Sequence, residues 1–168
     1  MGAGRIIAII GGIVGILSIG LYHLLPELFC LWRLDASPIL QIWIGGFGFE
    51  AGEVMGIGSD PEYTEEILLL IIGALTVGGG ALSIIGGITE SKIIGILGGI
   101  VMLAGPVLFI IGAAIEFGPF EDLAALIPPG ENLLFGSQAG GDWGLWIGTY
   151  LAIGGGVVGL IGGFLTEA

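Results

Sequence analysis

Residues that could do chemistry are scarce in this sequence, and most of them are carboxylates. Within the segment 50–66 lie Glu50, Glu53, Asp60, Glu62, Glu65 and Glu66. Because calcium takes roughly six to eight oxygen ligands, the segment could supply a divalent-cation site, with Glu62, Glu65 and Glu66 as its weak candidates. The spacing matches no EF-hand loop, which needs ligands at fixed odd positions around a central glycine. A solvated acidic helix start explains the same carboxylates, so we predict no metal site.

The sequence contains a single histidine, His23, and a single cysteine, Cys30. One histidine excludes two-histidine ligation of a metal or haem within the chain, and one cysteine excludes an internal disulfide and a multi-cysteine centre. We expect His23 to bond a loop carbonyl or water and Cys30 to be a buried, inert thiol. A membrane enzyme built on His23, Glu27 and Arg33 is the weakest alternative. We predict no catalytic residue and no cofactor.

The composition is that of an integral membrane protein. The chain has 168 residues, of which 55% are hydrophobic and only 11% are charged, and its mean hydropathy is +1.08. An ordinary soluble domain has about 25% charged residues. The three-glycine runs at 78–80 and 154–156 lie inside apolar segments and lack the lysine and the strand-then-helix context of a phosphate-binding loop. The scarcity of asparagine hints at a thermophilic prokaryote as the source.

Four apolar segments are long enough to cross a hydrocarbon core of about 30 Å. They cover residues 6–25, 67–88, 93–115 and 143–165 of a single domain, 1–168. The first is about twice as long as the apolar region of a signal peptide, so we interpret it as a retained helix. Asp60 and Pro61 are suited to the cap and first position of the second helix. Pro106, near the middle of the third, predicts a kink.

Small residues recur at intervals of four in these segments, a spacing that lets membrane helices approach closely. The residues we assign to helix packing are Gly11, Gly15, Gly79, Ser83, Gly87, Gly95, Gly99, Gly144, Gly148, Gly155, Gly159 and Gly163. The ladders offer more packing surface than one four-helix bundle needs, which favours self-association or a place in a larger assembly.

Two long loops, 26–66 and 116–142, alternate with a tight turn at 89–92. The runs 29–34 and 39–44 predict a small β-hairpin, although an interfacial helix over 26–34 is an alternative; the rest of the first loop is expected to be irregular. Residues 119–127 predict a short surface helix. Trp32, Arg33 and Trp43 are our candidates for partner contacts, and the Trp and Tyr residues together suggest an aromatic belt.

The charges are distributed unevenly between the two sides. The termini and the 89–92 turn carry Arg5 and Lys92 against Glu90 and Glu167, whereas the two long loops carry Arg33 against thirteen carboxylates. Because two of the three basic residues accompany the termini, the positive-inside rule places both termini in the cytoplasm and the acidic loops outside the cell membrane. An acidic surface of this kind argues against nucleic-acid binding.

The layout of four spans, a long first outer loop with strands and a tight inner turn resembles the claudin and peripheral-myelin type of tetraspan. Claudins carry a Trp, then Gly-Leu-Trp and two cysteines in the first loop. Here Trp32 and Trp43 are present, but Cys30 has no partner and the Gly-Leu-Trp at residues 144–146 begins the fourth segment. No functional residue is therefore transferred from that family.

The sequence thus predicts an all-α membrane protein, a four-transmembrane-helix bundle whose long first outer loop carries a small hairpin. We expect a non-enzymatic structural protein that associates with itself, or an accessory subunit of a larger membrane assembly. Its expected partners are the lipid bilayer and either copies of itself or other membrane subunits. The alternative function is an oligomeric passive pore whose acidic outer mouth favours cations.

Overall fold

The computed structural model describes residues 2–36, 39–58, 62–63, 66–138 and 140–166. Its four long helices are α1 (Ala3–Gly20), α3 (Ile67–Ile88), α4 (Lys92–Ala114) and α6 (Ile147–Leu165), and each is long and apolar enough to span a membrane. Two short helices, α2 (Pro26–Phe29) and α5 (Pro119–Ala124), lie in the long loops. The prediction of four membrane-length helices is confirmed, and so is the short helix after Pro119.

The long loops also build an antiparallel sheet, so the expectation of an all-α protein was wrong. Its strands are β1 (Trp32–Ala36), β2 (Leu40–Ile44), β3 (Phe49–Val54), β4 (Ile57–Gly58), β5 (Glu62–Tyr63), β6 (Phe135–Gln138) and β7 (Gly141–Leu145). Their order is β4-β3-β2-β1-β7-β6, with β5 paired to β3. The predicted hairpin is the β1–β2 pair, but the following segment is strand rather than irregular, and the second loop adds β6 and β7.

The predicted start of the fourth helix was wrong: the helix begins at Ile147 rather than at 143, because residues 142–145 pair with β1 in strand β7. The span predicted at 67–88 coincides with α3. Asp60 and Pro61, predicted as its cap and first position, lie outside the described residues, and Glu62 and Tyr63 pair with β3 instead of extending the helix. Pro106 lies inside α4, which continues through it, and the kink stays a prediction.

The four long helices, here called the helical part, pack so that α1 and α4 each contact both α3 and α6. Glycines let their main chains approach closely: a Cβ on Gly155 would lie 2.7 Å from the Gly15 nitrogen, and one on Gly163 would lie 2.5 Å from the Ile96 nitrogen. No side chain fits at such distances. The interior of the helical part is therefore formed largely by main chain against main chain.

The predicted packing residues lie in contacts between the long helices, with two exceptions, Gly144 and Gly148. Buried positions of the long helices are occupied by Gly11, Gly15, Gly79, Ser83, Gly87, Gly95, Gly99, Gly148, Gly155, Gly159 and Gly163. Gly144 belongs instead to β7, where its backbone φ is 147°, an angle that residues other than glycine rarely adopt. Gly148 packs against the carbonyls of Phe29 and Cys30 rather than against another long helix.

Large apolar side chains cover the outside of the helical part. Ile10 and Ile13 on α1, Leu97 on α4 and Ile161 on α6 are all exposed. The polar groups inside are hydroxyls with partners: Thr76 Oγ1 donates to its own helix at the Ile72 carbonyl, 2.9 Å away. Such a surface, apolar outside with satisfied polar groups inside, fits a lipid environment.

The two ends of the helical part differ. One end, here called the turn end, contains the 89–91 connection, and there the Arg5 guanidinium contacts the Glu90 carboxylate and donates from Nε to the Gly87 carbonyl. The opposite end, called the sheet end, contains both long loops. One face of the sheet packs on Phe109 and Phe120 at this end, and the other face packs near Tyr22.

Candidate functional site

The two tryptophans predicted to contact a partner are buried within the chain. Trp32 is fully buried, and its indole Nε1 donates to the Leu133 carbonyl at 2.7 Å. Trp43 faces the other side of the sheet and packs with Tyr22 and Ala51. Because both faces of the sheet are covered here, neither side chain is on a surface that another protein could contact. Their role is to join the sheet to the helical part and to the second loop.

Arg33, the third predicted contact, is partly exposed and lies on the same sheet face as Trp43. Its side chain is 22% exposed, and its guanidinium contacts the Asp35 carboxylate. The guanidinium carbon also lies 4.9 Å from the centroid of the Trp146 ring, a cation–π arrangement. Arg33 is thus held in place between a carboxylate and an indole ring.

Main-chain and hydroxyl bonds fix the sheet on the helical part. The Trp146 amide and the Thr149 hydroxyl both donate to the Leu31 carbonyl, at 2.9 and 2.8 Å. The Tyr22 hydroxyl donates to the Trp43 carbonyl at 2.7 Å. Three separate bonds therefore join the start of α6 and the end of α1 to strands β1 and β2, and they hold the sheet in one orientation.

Three carboxylates line a cavity of about 300 Å³ between β3, the start of α3 and α5. They belong to Glu50, Glu66 and Asp122. Burial raises the pKa of the Glu50 carboxyl, and the negative charges of Glu66 and Asp122 raise it further. We call this space the Glu50 cavity.

The predicted metal candidates are not brought together in this cavity as a set. Glu66 lines it, whereas only the main chain of Glu62 is described and Glu65 lies outside the described residues. Across the described part of the chain, no three side chains of His, Cys, Asp or Glu converge as metal ligands.

The lone thiol and the lone imidazole both belong to the segment that follows α1. Cys30 is buried, and burial raises the pKa of its thiol to about 12. Its Sγ contacts the Glu27 carbonyl at 3.9 Å. The His23 ring lies edge-on to Tyr22, with 6.2 Å between ring centroids. A thiol with so high a pKa is a poor nucleophile.

An exposed apolar surface lies at the strand ends farthest from the helices. It consists of Ile39, Val54, Met55 and Ile57, whose exposed fractions are 63%, 55%, 77% and 78%. Leu40 pairs with Val54, Val54 pairs with Ile57, and the Met55 amide donates to the Ile39 carbonyl at 3.0 Å. We call these four side chains the distal tip.

The distal tip stands away from the helical part. The opposite end of β2, at Ile44, is the end that joins Leu31 and the start of α6. Because a strand rises about 3.3 Å per residue, five residues separate the tip from that end by about 15 Å.

The sequence analysis missed these residues. Val54, Met55 and Ile57 lie in a segment expected to be irregular, and Met55-Gly56 has only the glycine of the Asn-Gly and Asp-Gly pairs that typically indicate a two-residue hairpin turn. Trp146 was assigned to the start of a helix and Asp142 to the end of the second loop.

Comparison with known proteins yields no assignment: no protein-family model matches this sequence, and no curated protein matches it.

Proposed function

We propose that this chain is a non-enzymatic protein with four membrane spans that serves as an accessory subunit, and that its distal tip docks onto another protein outside the membrane. The observation that carries the proposal is the exposure of the tip. Ile39, Val54, Met55 and Ile57 are all exposed at the same end of the paired segments β2, β3 and β4. Exposed apolar patches of this kind are typical of interaction surfaces.

The proposed orientation places the sheet outside the cell and both termini in the cytoplasm. Two of the three basic residues, Arg5 and Lys92, lie at the turn end, whereas thirteen carboxylates belong to the loops of the sheet end. The positive-inside rule supports this arrangement. Long apolar helices and an apolar outer surface support the membrane location.

The charge of the loops favours a different protein over a second copy as the partner. A single arginine, Arg33, accompanies the thirteen carboxylates of the two loops, and Glu53 adjoins the tip on β3. Two copies that met through their tips would bring these negative charges together, whereas a partner with a basic rim around an apolar pocket would complement them. We therefore propose a partner of that chemistry.

The small-residue ladders give less support to self-association than the sequence suggested. Their glycines lie in contacts between helices of the same chain, as Gly155 does with Gly15. The same close packing gives no support to a pore through one chain, because main chain fills the space between the helices. A pore would have to form between copies, and no contact of the described residues favours it over the accessory role.

The tip can be tested by substitution at positions that carry no internal packing. Met55→Ser combined with Ile57→Thr removes apolar surface while keeping strand propensity at position 57. Leu126→Ser is the matched control, because Leu126 is also an exposed apolar residue of the sheet end but lies outside the tip. Each variant is purified from its native membranes after chemical cross-linking.

We expect a stoichiometric cross-linked partner with the wild type and with Leu126→Ser, and at least a tenfold lower yield with the tip variant. Equal yields from all three proteins would contradict the docking role of the tip. A cross-linked product made only of this chain would contradict the accessory role and favour self-association.

A further inference from the structure

A second feature of the sheet end is a cavity of about 420 Å³ between β1, β7 and the first turn of α6. Arg33 pairs with Gly144 across the two strands, and Asp35 pairs with Asp142. Gly144 lines the same cavity as Arg33, Asp35 and Asp142. Trp146 and Tyr150 close the side nearest the helices. We call this space the Arg33 cavity.

Two hydrogen-bond donors of the cavity lining have no acceptor among the described residues. They are Arg33 Nε and Trp146 Nε1, and both atoms are buried. A buried donor left unpaired costs about 1–3 kcal/mol, so native proteins nearly always satisfy such groups. Both side chains line the same cavity and contact each other. A small rotation of the two side chains toward the cavity would let an acceptor oxygen of a bound molecule satisfy both donors.

The charges of the cavity indicate what else that molecule carries. Arg33 is its one cation, and its guanidinium already contacts Asp35. Asp142 is exposed and lies directly opposite Asp35, an arrangement of like charges that is destabilising without a cation nearby. The lining is therefore negative by one charge overall. A purely anionic ligand would be repelled, whereas one with an anionic oxygen and a separate cationic group would match both Arg33 and Asp142.

The spacing of these two residues suits a compact zwitterion. Arg33 and Asp142 occupy diagonal positions on adjacent strands, which places the two residues about 7–8 Å apart. A phosphate and an ammonium group joined by a two-carbon linker can face both at once.

The position of the cavity indicates that this zwitterion is a lipid headgroup. Tyr150 lines the cavity and is 51% exposed on α6. The same helix face continues with Gly154, Val157 and Ile161, which are exposed and lie at helical spacing. A Cβ on Gly154 would contact nothing within 4 Å, so the face has a notch there. An acyl chain could lie along this face while its headgroup enters the cavity.

We propose that the Arg33 cavity binds the headgroup of a zwitterionic phospholipid. Its phosphate oxygens accept hydrogen bonds from Arg33 Nε and Trp146 Nε1, and its ammonium group lies beside the Asp142 carboxylate. The acyl chains follow the Tyr150–Ile161 face of α6. This site depends on the helices lying in a membrane, but it does not depend on the distal tip having a partner.

The test is native mass spectrometry of the purified full chain in detergent, with lipid added in increasing amounts. The probes are dioleoyl phosphatidylethanolamine, the anionic dioleoyl phosphatidylglycerol and dioleoylglycerol, which lacks the phosphate. Inorganic phosphate with ethanolamine is a separate arm. We expect one phosphatidylethanolamine per chain, bound at least about tenfold more tightly than either other lipid, and no competition by millimolar phosphate with ethanolamine.

Two variants assign the binding to the cavity. Trp146→Phe keeps an aromatic ring beside Arg33 but removes the N–H donor. Since a hydrogen bond to a charged group is worth about 1.5–3 kcal/mol, the affinity for phosphatidylethanolamine should fall at least tenfold. Asp142→Asn, on an exposed side chain, should remove the preference for phosphatidylethanolamine over phosphatidylglycerol. Trp43→Phe is the matched control, because Trp43 Nε1 is also buried and unpartnered but does not line the cavity.

Several results would overturn the proposal. Equal affinities of Trp146→Phe and Trp43→Phe for phosphatidylethanolamine would show that the lipid does not bind in the Arg33 cavity. Dioleoylglycerol binding as tightly as the phospholipid would show that only the helix surface is recognised. Phosphatidylglycerol binding as tightly as phosphatidylethanolamine would contradict the zwitterionic assignment, and displacement by phosphate with ethanolamine would assign the cavity to a soluble ligand.

Discussion

Thr149 donates a hydrogen bond from its hydroxyl to the Leu31 carbonyl, 118 residues earlier in the chain, and both residues are buried. Thr149 is in the first turn of a membrane-length helix, and Leu31 directly precedes strand β1. This bond and the neighbouring bond from the Trp146 amide connect the sheet to the helices. These bonds fix the position of the sheet relative to the helices.

Thr149→Val should loosen that connection. The change keeps the shape of the side chain but removes the donor, and we expect the free energy of unfolding to fall by about 1 kcal/mol. Hydrogen exchange measured by mass spectrometry should show faster exchange in residues 30–36. Thr76→Val is the control, because the Thr76 hydroxyl bonds only within its own helix, to Ile72. Equal exchange at 30–36 in both variants would show that the Thr149 bond does not hold the sheet.

Gly162→Ala should destabilise the helical part. A Cβ at this position would collide with the main-chain nitrogen of Ala8 on α1, and neither helix main chain can move aside. We expect a loss of about 1–3 kcal/mol. Gly154→Ala on the same helix is the control, because its Cβ would meet nothing; it should be neutral or stabilising by about 0.5–1 kcal/mol. Thermal unfolding in detergent compares the two, and similar melting temperatures would refute the close α1–α6 contact.

Glu50 should make stability depend on pH. Burial and the negative charges of Glu66 and Asp122 raise the pKa of the Glu50 carboxyl above its unfolded value of about 4.3. The folded state therefore binds the proton more tightly than the unfolded state does. The free energy of unfolding should fall as the pH rises from the unfolded pKa through the raised native pKa, and it should level off above that range.

Glu50→Gln should remove this dependence and be more stable than the wild type at pH 7. Denaturant unfolding between pH 4 and pH 8 measures both effects. Glu53→Gln, on the same strand but outside the Glu50 cavity, controls for the loss of one negative charge. A wild type that becomes more stable as the pH rises through this range would contradict the assigned direction.

Cys30 should resist alkylation in the folded protein. Its side chain is buried, and desolvation raises the pKa of the thiol to about 12, so almost no thiolate exists at pH 8. We expect a maleimide reagent to label the unfolded chain within minutes and the folded chain at least a hundredfold more slowly. Rapid labelling of the folded protein would show that the loop around Cys30 opens readily.

The sequence predicted the long helices well because an apolar segment of membrane length is a strong local signal. It predicted the sheet poorly because most of the strands lack such a signal. The segment 49–54 contains glycine and two glutamates, and 135–138 contains a glycine, so neither has the β-branched pattern of a typical strand. The β1–β7 pairing also joins parts of the chain more than 100 residues apart, which no local pattern reveals.

The start of α6 shows the same limitation at a single site. Trp143, Gly144 and Leu145 continue an apolar run into the helix, so composition assigns them to the span. Pairing with β1 and the positive φ of Gly144 make them a strand instead. The sequence did not reveal that Trp32 and Trp43 are buried, for a related reason. An aromatic residue in an outer loop is compatible with an aromatic belt, a partner contact or a place in the core. Only the packing on both faces of the sheet decides among them.

The most direct test of the accessory role is the mass of the native particle, measured by mass spectrometry of complexes released from native membranes in mild detergent. The accessory role predicts a particle that contains this 17.1 kDa chain together with at least one different polypeptide, in a fixed ratio. A homogeneous particle whose mass is a whole multiple of 17.1 kDa would contradict it and would identify a protein that assembles only with itself.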